Sequence, residues 1–230
     1  MSSKKILFLL VIGLLTVLSA CSGESTQEKI HNHLEEAVAL EQDFEDVQSE
    51  ITELEKQEQE LYSQIIDLGM DDFDKIKELS EKAVDIIDER SDKISKEKDS
   101  IEASKEEFNK IQDLIENLED EELKGKVQSM YDVMEGRYQA YNTLNNAYSE
   151  SLNLEKELYT MLQQEDLQQE DLSDQINKIN ESYEQILKAN DQFNEATVEY
   201  NALKKEFYEQ AGIDVTYEEN PSASSTEEKE

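Results

Sequence analysis

From Ile30 onward the apolar residues recur with alternating spacings of three and four. One row runs Ile30, Ala37, Phe44, Ile51, Glu58, Ile65, and its companion runs His33, Leu40, Val47, Leu54, Leu61, Leu68. Ten of these twelve positions are apolar over six heptads, which predicts a helix carrying a coiled-coil seam. Ser25 and Glu28 have the S-x-x-E spacing of a capping box at its start. Gly69 offers a left-handed cap at its end, and Asp71 or Asp72 can open the next helix. That second helix carries Phe73, Ser80, Ile87, Ile94, Ile101, Phe108, Ile115 beside Ile76, Ala83, Arg90, Glu97, Ser104, Ile111, Leu118. Its ends are apolar and its middle is not. A turn falls between Asn117 and Glu122.

The third helix reads Val127, Met134, Tyr141, Tyr148, Glu155, Leu162 beside Leu123, Met130, Arg137, Leu144, Ser151, Leu158, with Gly125 and Gly136 as local weak points. The polar run Gln163 to Asp171 interrupts the rhythm. The fourth helix reads Leu172, Ile179, Ile186, Phe193, Tyr200, Phe207 beside Ile176, Tyr183, Asn190, Thr197, and Gly212 ends it. Short connections make neighbours antiparallel. The pattern therefore predicts an all-α protein, an elongated antiparallel bundle of four long coiled-coil-like helices over residues 27–212. Residues 213–230, acidic and rich in Ser and Thr, read as a disordered tail.

The N-terminus follows another pattern. Lys4 and Lys5 precede an almost wholly apolar run from Ile6 to Val17, the length of a signal-peptide core and too short to span a membrane. Cys21 is the only cysteine of the chain. Leu18-Ser19-Ala20-Cys21 resembles the lipobox of bacterial lipoproteins. That resemblance implies cleavage between Ala20 and Cys21 and a diacylglyceryl thioether on Cys21. It also implies a signal peptide at 1–20, a lipidated tether at 21–26, and anchorage on the extracytoplasmic face of the cell membrane. Two acyl chains hold stably where one does not.

Composition then narrows the function. Without residues 1–20 the chain has 20 basic and 57 acidic residues, a net charge of −37. This excludes generic nucleic-acid binding, which needs a basic footprint, and disfavours docking on anionic polymers. Weak, unspecific divalent-cation binding is expected of so many carboxylates. There is no Trp, and Pro221 is the only proline. No nucleophile–histidine–carboxylate set and no glycine-rich phosphate loop can be assembled, so no catalytic residue, metal site or further cofactor is assigned. His31 and His33 lie two apart on a helix, face different ways, and read as a solvated first turn.

Two other features stand out. Arg90, Glu97, Ser104 and Arg137 place polar groups in seam rows, with Arg137 level with Ser104 if the turn lies near Asp120. They read as a register-setting or hydrated layer, and replacing Arg90, Glu97 and Ser104 by Ile or Leu is expected to stabilise the bundle. Seven of the ten tyrosines lie between Tyr131 and Tyr200. Tyr131 and Tyr138, one heptad apart, are candidates to stack on a glycan or meet a partner; the plainer reading has them edge the core with their hydroxyls in water.

The lipobox followed by about 190 residues of acidic, Trp-free helix resembles the YkyA-type cell-wall-binding lipoproteins of bacilli. The resemblance implies a non-enzymatic, membrane-anchored surface protein that meets peptidoglycan. The alternative is a helical adaptor for another envelope or secreted protein.

Overall fold

The computed structural model describes residues 24–68 and 72–215. The lipobox with Cys21, the proposed caps Gly69 and Asp71, and the tail beyond residue 215 lie outside the described residues. Six α-helices account for nearly all of the rest, and no strand occurs among the described residues. They are α1 (Thr26–Leu40), α2 (Gln42–Asp67), α3 (Phe73–Phe108), α4 (Gln112–Ile115), α5 (Glu121–Met161) and α6 (Gln169–Ala211), with a 3-10 turn at Asn109–Ile111 between α3 and α4. Helices α1 and α2 lie on α3, α3 lies on α5, and α5 pairs with α6 along the bundle. Four long antiparallel rods thus form one bundle. The 41 residues of α5 span about 60 Å at 1.5 Å per residue.

The caps follow the local sequence. Ser25 and Glu28 make the reciprocal capping box, with Glu28 N–H donating to Ser25 Oγ at 3.2 Å and Ser25 N–H to Glu28 Oε2 at 2.7 Å. Asp120 Oδ1 accepts from the N–H groups of Glu122 and Leu123 at the start of α5. Gly212, at φ 68°, ends α6 and turns Ile213 N–H onto the Tyr208 carbonyl. Asp72 precedes α3 without a side-chain cap. Ile213 and Val215 pack on the core, so the tail is ordered at least that far.

The first rod is not the single helix that its heptads predict. It breaks at Glu41, whose backbone sits at φ −84°, ψ 3°. Neither glycine nor proline causes the break. Ser100 of α3 inserts its hydroxyl into the helical ladder, donating to the Leu40 carbonyl at 2.6 Å and accepting from Phe44 N–H at 3.2 Å. The hydroxyl thereby replaces the direct bond between those two backbone groups. The kink swings the Glu41 carboxylate inward.

The core falls into two apolar clusters. The upper one joins α1, the end of α3, the start of α5 and the end of α6 around Ile30, Leu34, Phe108, Met130, Tyr141 and Phe207. The lower one joins α2, the start of α3 and the end of α5 around Val47, Ile51, Ala83, Ile87, Leu152 and Tyr159. Helix α6 contributes no residue to this lower cluster. Its predicted companion row is the reason. Tyr183 is 44% exposed, Asn190 is exposed, and Ile176 and Thr197 are half-buried. The buried row is instead Gln175, Ser182 and Ala189. These polar or small side chains hold α6 against α5. Ser182 Oγ donates to Ser151 Oγ at 3.1 Å, and Gln175 Nε2 donates to the Leu154 carbonyl at 2.8 Å.

Candidate functional site

Arg90 lies midway along α3, at a seam position flanked one heptad before by Ala83 and one heptad after by Glu97. Its heptad row points it into the bundle, where its side chain is 6% exposed. A guanidinium removed from water needs its five N–H groups matched, and here two helices, α2 and α5, supply partners. Nη1 donates to Glu58 of α2 and, at 2.7 Å, to Glu155 of α5. Nε and Nη2 donate to the Tyr148 hydroxyl at 3.1 and 2.6 Å, and Nη2 reaches Glu55 at 3.4 Å. The Tyr148 hydroxyl passes its own proton to Glu55 at 2.6 Å. Glu155 accepts from Ser151 at 2.9 Å, which links the cluster through Ser182 to α6. Tyr159 and Tyr183 complete the shell by bonding Glu58 and Glu155.

The charges in this cluster do not balance. Glu58 and Glu155, with side chains 9% and 3% exposed, share one guanidinium. Burial, reinforced by Glu155, pushes the Glu58 carboxyl up to about 7 against the pull of Arg90. On Arg90, burial alone lowers the pKa, but Glu155 and the other partners outweigh it and leave the guanidinium firmly charged. Beside the cluster the lower half of α6 leaves a cavity of about 380 Å³. Glu55, Glu58, Gln59 and Tyr62 line it from α2, Arg90 from α3, Glu155, Leu158 and Tyr159 from α5, and Ile176, Ile179, Asn180 and Tyr183 from α6. A bundle interior framed by all four rods is a usual place for a ligand.

A second polar layer crosses the bundle at the kink. Glu41 takes Arg137 in a two-pronged pair, Nη1 to Oε1 at 2.8 Å and Nη2 to Oε2 at 2.7 Å. Arg137 Nε donates to Thr197 at 3.0 Å, and its guanidinium lies over the Phe193 ring at 4.7 Å. Ser104 donates to Glu41 at 2.8 Å, so Arg137 and Ser104 meet on one carboxylate, level as the sequence predicts. Between the two layers Glu97 accepts from Gln48 at 2.8 Å and bonds Tyr141. Burial pushes its carboxyl up to about 7, since no cation faces it. The layers are thus bonded networks and not hydrated gaps. Substituting Arg90, Glu97 and Ser104 alone would strand Glu58 and Glu155 without their guanidinium, which reverses the stabilisation expected from the sequence.

The tyrosine candidates are corrected. Tyr138 is 1% exposed, stands edge-on to Phe108 at 6.0 Å and shares a 3.0 Å hydrogen bond with Ser104, so it offers no face to a glycan. Tyr131 is half-buried, stacked on Phe108 at 5.4 Å, with its hydroxyl on Asn109. Tyr138 is thus a core aromatic, and Tyr131 edges the core as the plainer reading has it. The first turn is less solvated than predicted too: His33 Nδ1 lies 2.6 Å from Glu107, and His31 packs edge-on against Tyr208 at 5.0 Å. Among the described residues no three His, Cys, Asp or Glu side chains form a group able to hold a metal ion, and no helix is long and apolar enough to cross a membrane.

The four-rod architecture has a solved counterpart. A crystal structure at 1.6 Å of a conserved protein of unknown function from Staphylococcus aureus superposes with a TM-score of 0.70 over 82% of this chain and 98% of that one. At 18% identity, that likeness bears on the fold alone. In sequence, the chain is 39% identical over 99 residues to the "Uncharacterized lipoprotein YkyA" of Bacillus subtilis (strain 168). That alignment takes in 43% of this chain and 44% of the relative, so it spans less than half of either protein. The sequence model of the family described as "YkyA: Putative cell-wall binding lipoprotein" matches residues 25–210, from the Ser25 cap to the last turn of α6. Because that match takes in the whole bundle, the chain belongs to the YkyA family of lipoproteins.

Proposed function

We propose that the protein is a non-enzymatic surface lipoprotein, held by a diacylglyceryl group on Cys21 at the extracytoplasmic face of the membrane, whose bundle binds peptidoglycan. The observation that carries this reading is the match of the bundle itself, residues 25–210, to a family described by cell-wall binding. The physics limits which wall component is bound. A net charge of −35 repels anionic polymers, whereas the uncharged glycan and the amine-bearing peptides of peptidoglycan carry no such penalty. The buried charged groups support a binding role over catalysis. Arg90, Glu58, Glu155 and Arg137 are each committed to protein partners. Co-sedimentation of the purified protein with peptidoglycan sacculi, with and without their anionic polymers, tests the reading. Binding that survives, or rises, when the polymers are stripped supports it. Protein left in the supernatant in both cases overturns it.

A second reading, an adaptor for another envelope or secreted protein, draws on one feature of α6. Tyr183, Leu187 and Val198 lie within about 60° of one another around the helix at 100° per residue, and Leu187 and Val198 are 65% and 71% exposed. With Asn190 and Asn194 between them on the same exposed face, they form a mixed apolar and polar surface of the kind a partner helix can use.

A further inference from the structure

We propose that the cavity between α2 and α6 is a binding site for a primary ammonium group carried on an aliphatic stem, with Glu58 and Glu155 as the counter-charge and Tyr183 at its wall. The site is additional to the wall-binding surface and does not depend on it. Three observations converge. The first is space: about 380 Å³ lies directly against the cluster, a volume in the range of small-molecule pockets. The second is charge: two buried carboxylates share one guanidinium, and Glu55 adds a third negative group beside them. The donors of Arg90 are already committed to Glu58, Glu155, Glu55 and Tyr148, so an anion entering the cavity finds no free guanidinium to pair with. A cation finds an excess of negative charge. The third is the wall. Tyr62, Tyr159 and Tyr183 bring aromatic rings, which can attract cations, to the lining, and Leu158, Ile176 and Ile179 suit methylene groups. A bare, strongly hydrated metal ion has no use for such a lining.

The groups facing Glu58 come from every rod: Glu55 from α2, Arg90 from α3, Tyr148, Glu155 and Tyr159 from α5, and Tyr183 from α6. Because burial pushes the Glu58 carboxyl up to about 7, that group is partly protonated in the empty site at neutral pH. An incoming ammonium displaces that proton: the carboxylic O–H gives its proton to water and the carboxylate keeps the bonding pair. Affinity for the cation therefore rises with pH. An alkylammonium stays protonated up to about pH 10, so between pH 6 and pH 8 the ionised fraction of Glu58 alone rises about tenfold.

The test is calorimetric titration of the detergent-solubilised full chain at about 0.15 M salt, where surface attraction is screened beyond roughly 8 Å. The probes are n-pentylamine, Nα-acetyl-lysine methylamide and, as the analogue of the second that lacks its amine, Nα-acetyl-norleucine methylamide. Saturable one-to-one binding of either amine is expected, with a dissociation constant about tenfold lower at pH 8 than at pH 6 and a weaker, pH-independent value in Glu58→Gln. Binding of pentylamine identifies a free amine as sufficient. Binding of the lysine derivative alone identifies an amine presented on a peptide. Equal affinity for the norleucine derivative, an affinity flat across pH in the native protein, or no saturable heat with either amine overturns the proposal. The native protein decides the matter even if Glu58→Gln folds poorly. None of these outcomes depends on sedimentation with sacculi.

Discussion

Substituting Arg90 by leucine isolates what the guanidinium does. In the native bundle it holds Glu58 and Glu155 in place of water, with all three side chains under a tenth exposed. Leucine removes the charge but leaves both carboxylates facing each other in a space that excludes solvent. Removing one partner of a buried ion pair costs about 3–5 kcal/mol, because the remaining charge must stay unpaired or take a proton. For a chain of this length each kcal/mol moves the melting temperature by about 2–4 °C, so Arg90→Leu is expected to lower it by roughly 6–20 °C at pH 8. Replacing Arg90, Glu58 and Glu155 together by leucine, with no ion left to strand, is expected to leave stability unchanged or raise it by about 1–4 kcal/mol. The loss in the single variant should also shrink at pH 5, where the Glu58 carboxyl, pushed up to about 7, is neutral. Urea denaturation followed by circular dichroism, at pH 8 and pH 5, reads all of this, with equal slopes required before the free energies are compared. A single variant within about 1 kcal/mol of wild type at pH 8, or a triple variant as unstable as the single one, would refute the claim that the cluster is held together by charge.

Other consequences are testable in parallel. Glu41→Gln should destabilise by about 3 kcal/mol, since Arg137 loses a two-pronged carboxylate; equilibrium unfolding measures it, and Ser104→Ala, which removes the hydroxyl's bonds to Glu41 and Tyr138, should cost about 1–3 kcal/mol. Glu58 and Glu97 titrate near 7 when folded and near 4.5 when unfolded, so the folded state binds more protons across that window. Stability should rise as pH falls from 8 to 5, by about 3 kcal/mol per group, and a melting temperature that falls over that range contradicts the assignment. A net charge of −35 on a narrow rod should make the melting temperature climb with sodium chloride, and with calcium or magnesium at lower concentration; a curve flat in sodium removes self-repulsion as a factor. Cys21→Ala should release the protein from membranes or leave residues 1–20 attached, as fractionation and mass spectrometry would show.

The seam rows were legible because heptads repeat far longer than chance allows. Of the fourteen seam positions from Phe73 to Leu118 every one but Phe73 is buried, polar entries included. The break at Glu41 was not legible, since its cause is a serine sixty residues away on another helix and no local residue marks it. The companion row of α6 was misread for a related reason. Ile176 and Tyr183 look like core residues, but Gln175, Ser182 and Ala189 are smaller or can bond the neighbouring helix, and close approach to α5 favours them. Tyr138 failed as a contact residue because a heptad spacing that flanks the seam does not tell which side of it a ring will take.

The cluster at Arg90 was half legible, and the missing half explains why the cavity sits where it does. Glu58, Arg90 and Glu155 are polar entries in the seam rows of three different rods, opposite in sign, and antiparallel pairing of those rods brings them to one level. That much follows from the rows once they are aligned at their turns. The fourth rod breaks the rule. At the same level α6 offers Ser182, turned toward Ser151, and leaves Tyr183 half in water. A leucine or isoleucine in place of Ser182 would push α6 away from α5 and end the hydroxyl relay to Glu155. With Ser182, α6 stays close to α5, its larger side chains point to one side, and the space between α2 and α6 opens onto two carboxylates and one guanidinium. The polar choice on α6 and the unbalanced charge on the other three rods are therefore two parts of one arrangement. A bundle selected only for stability would carry neither, because apolar side chains of similar volume would fill the layer at lower cost.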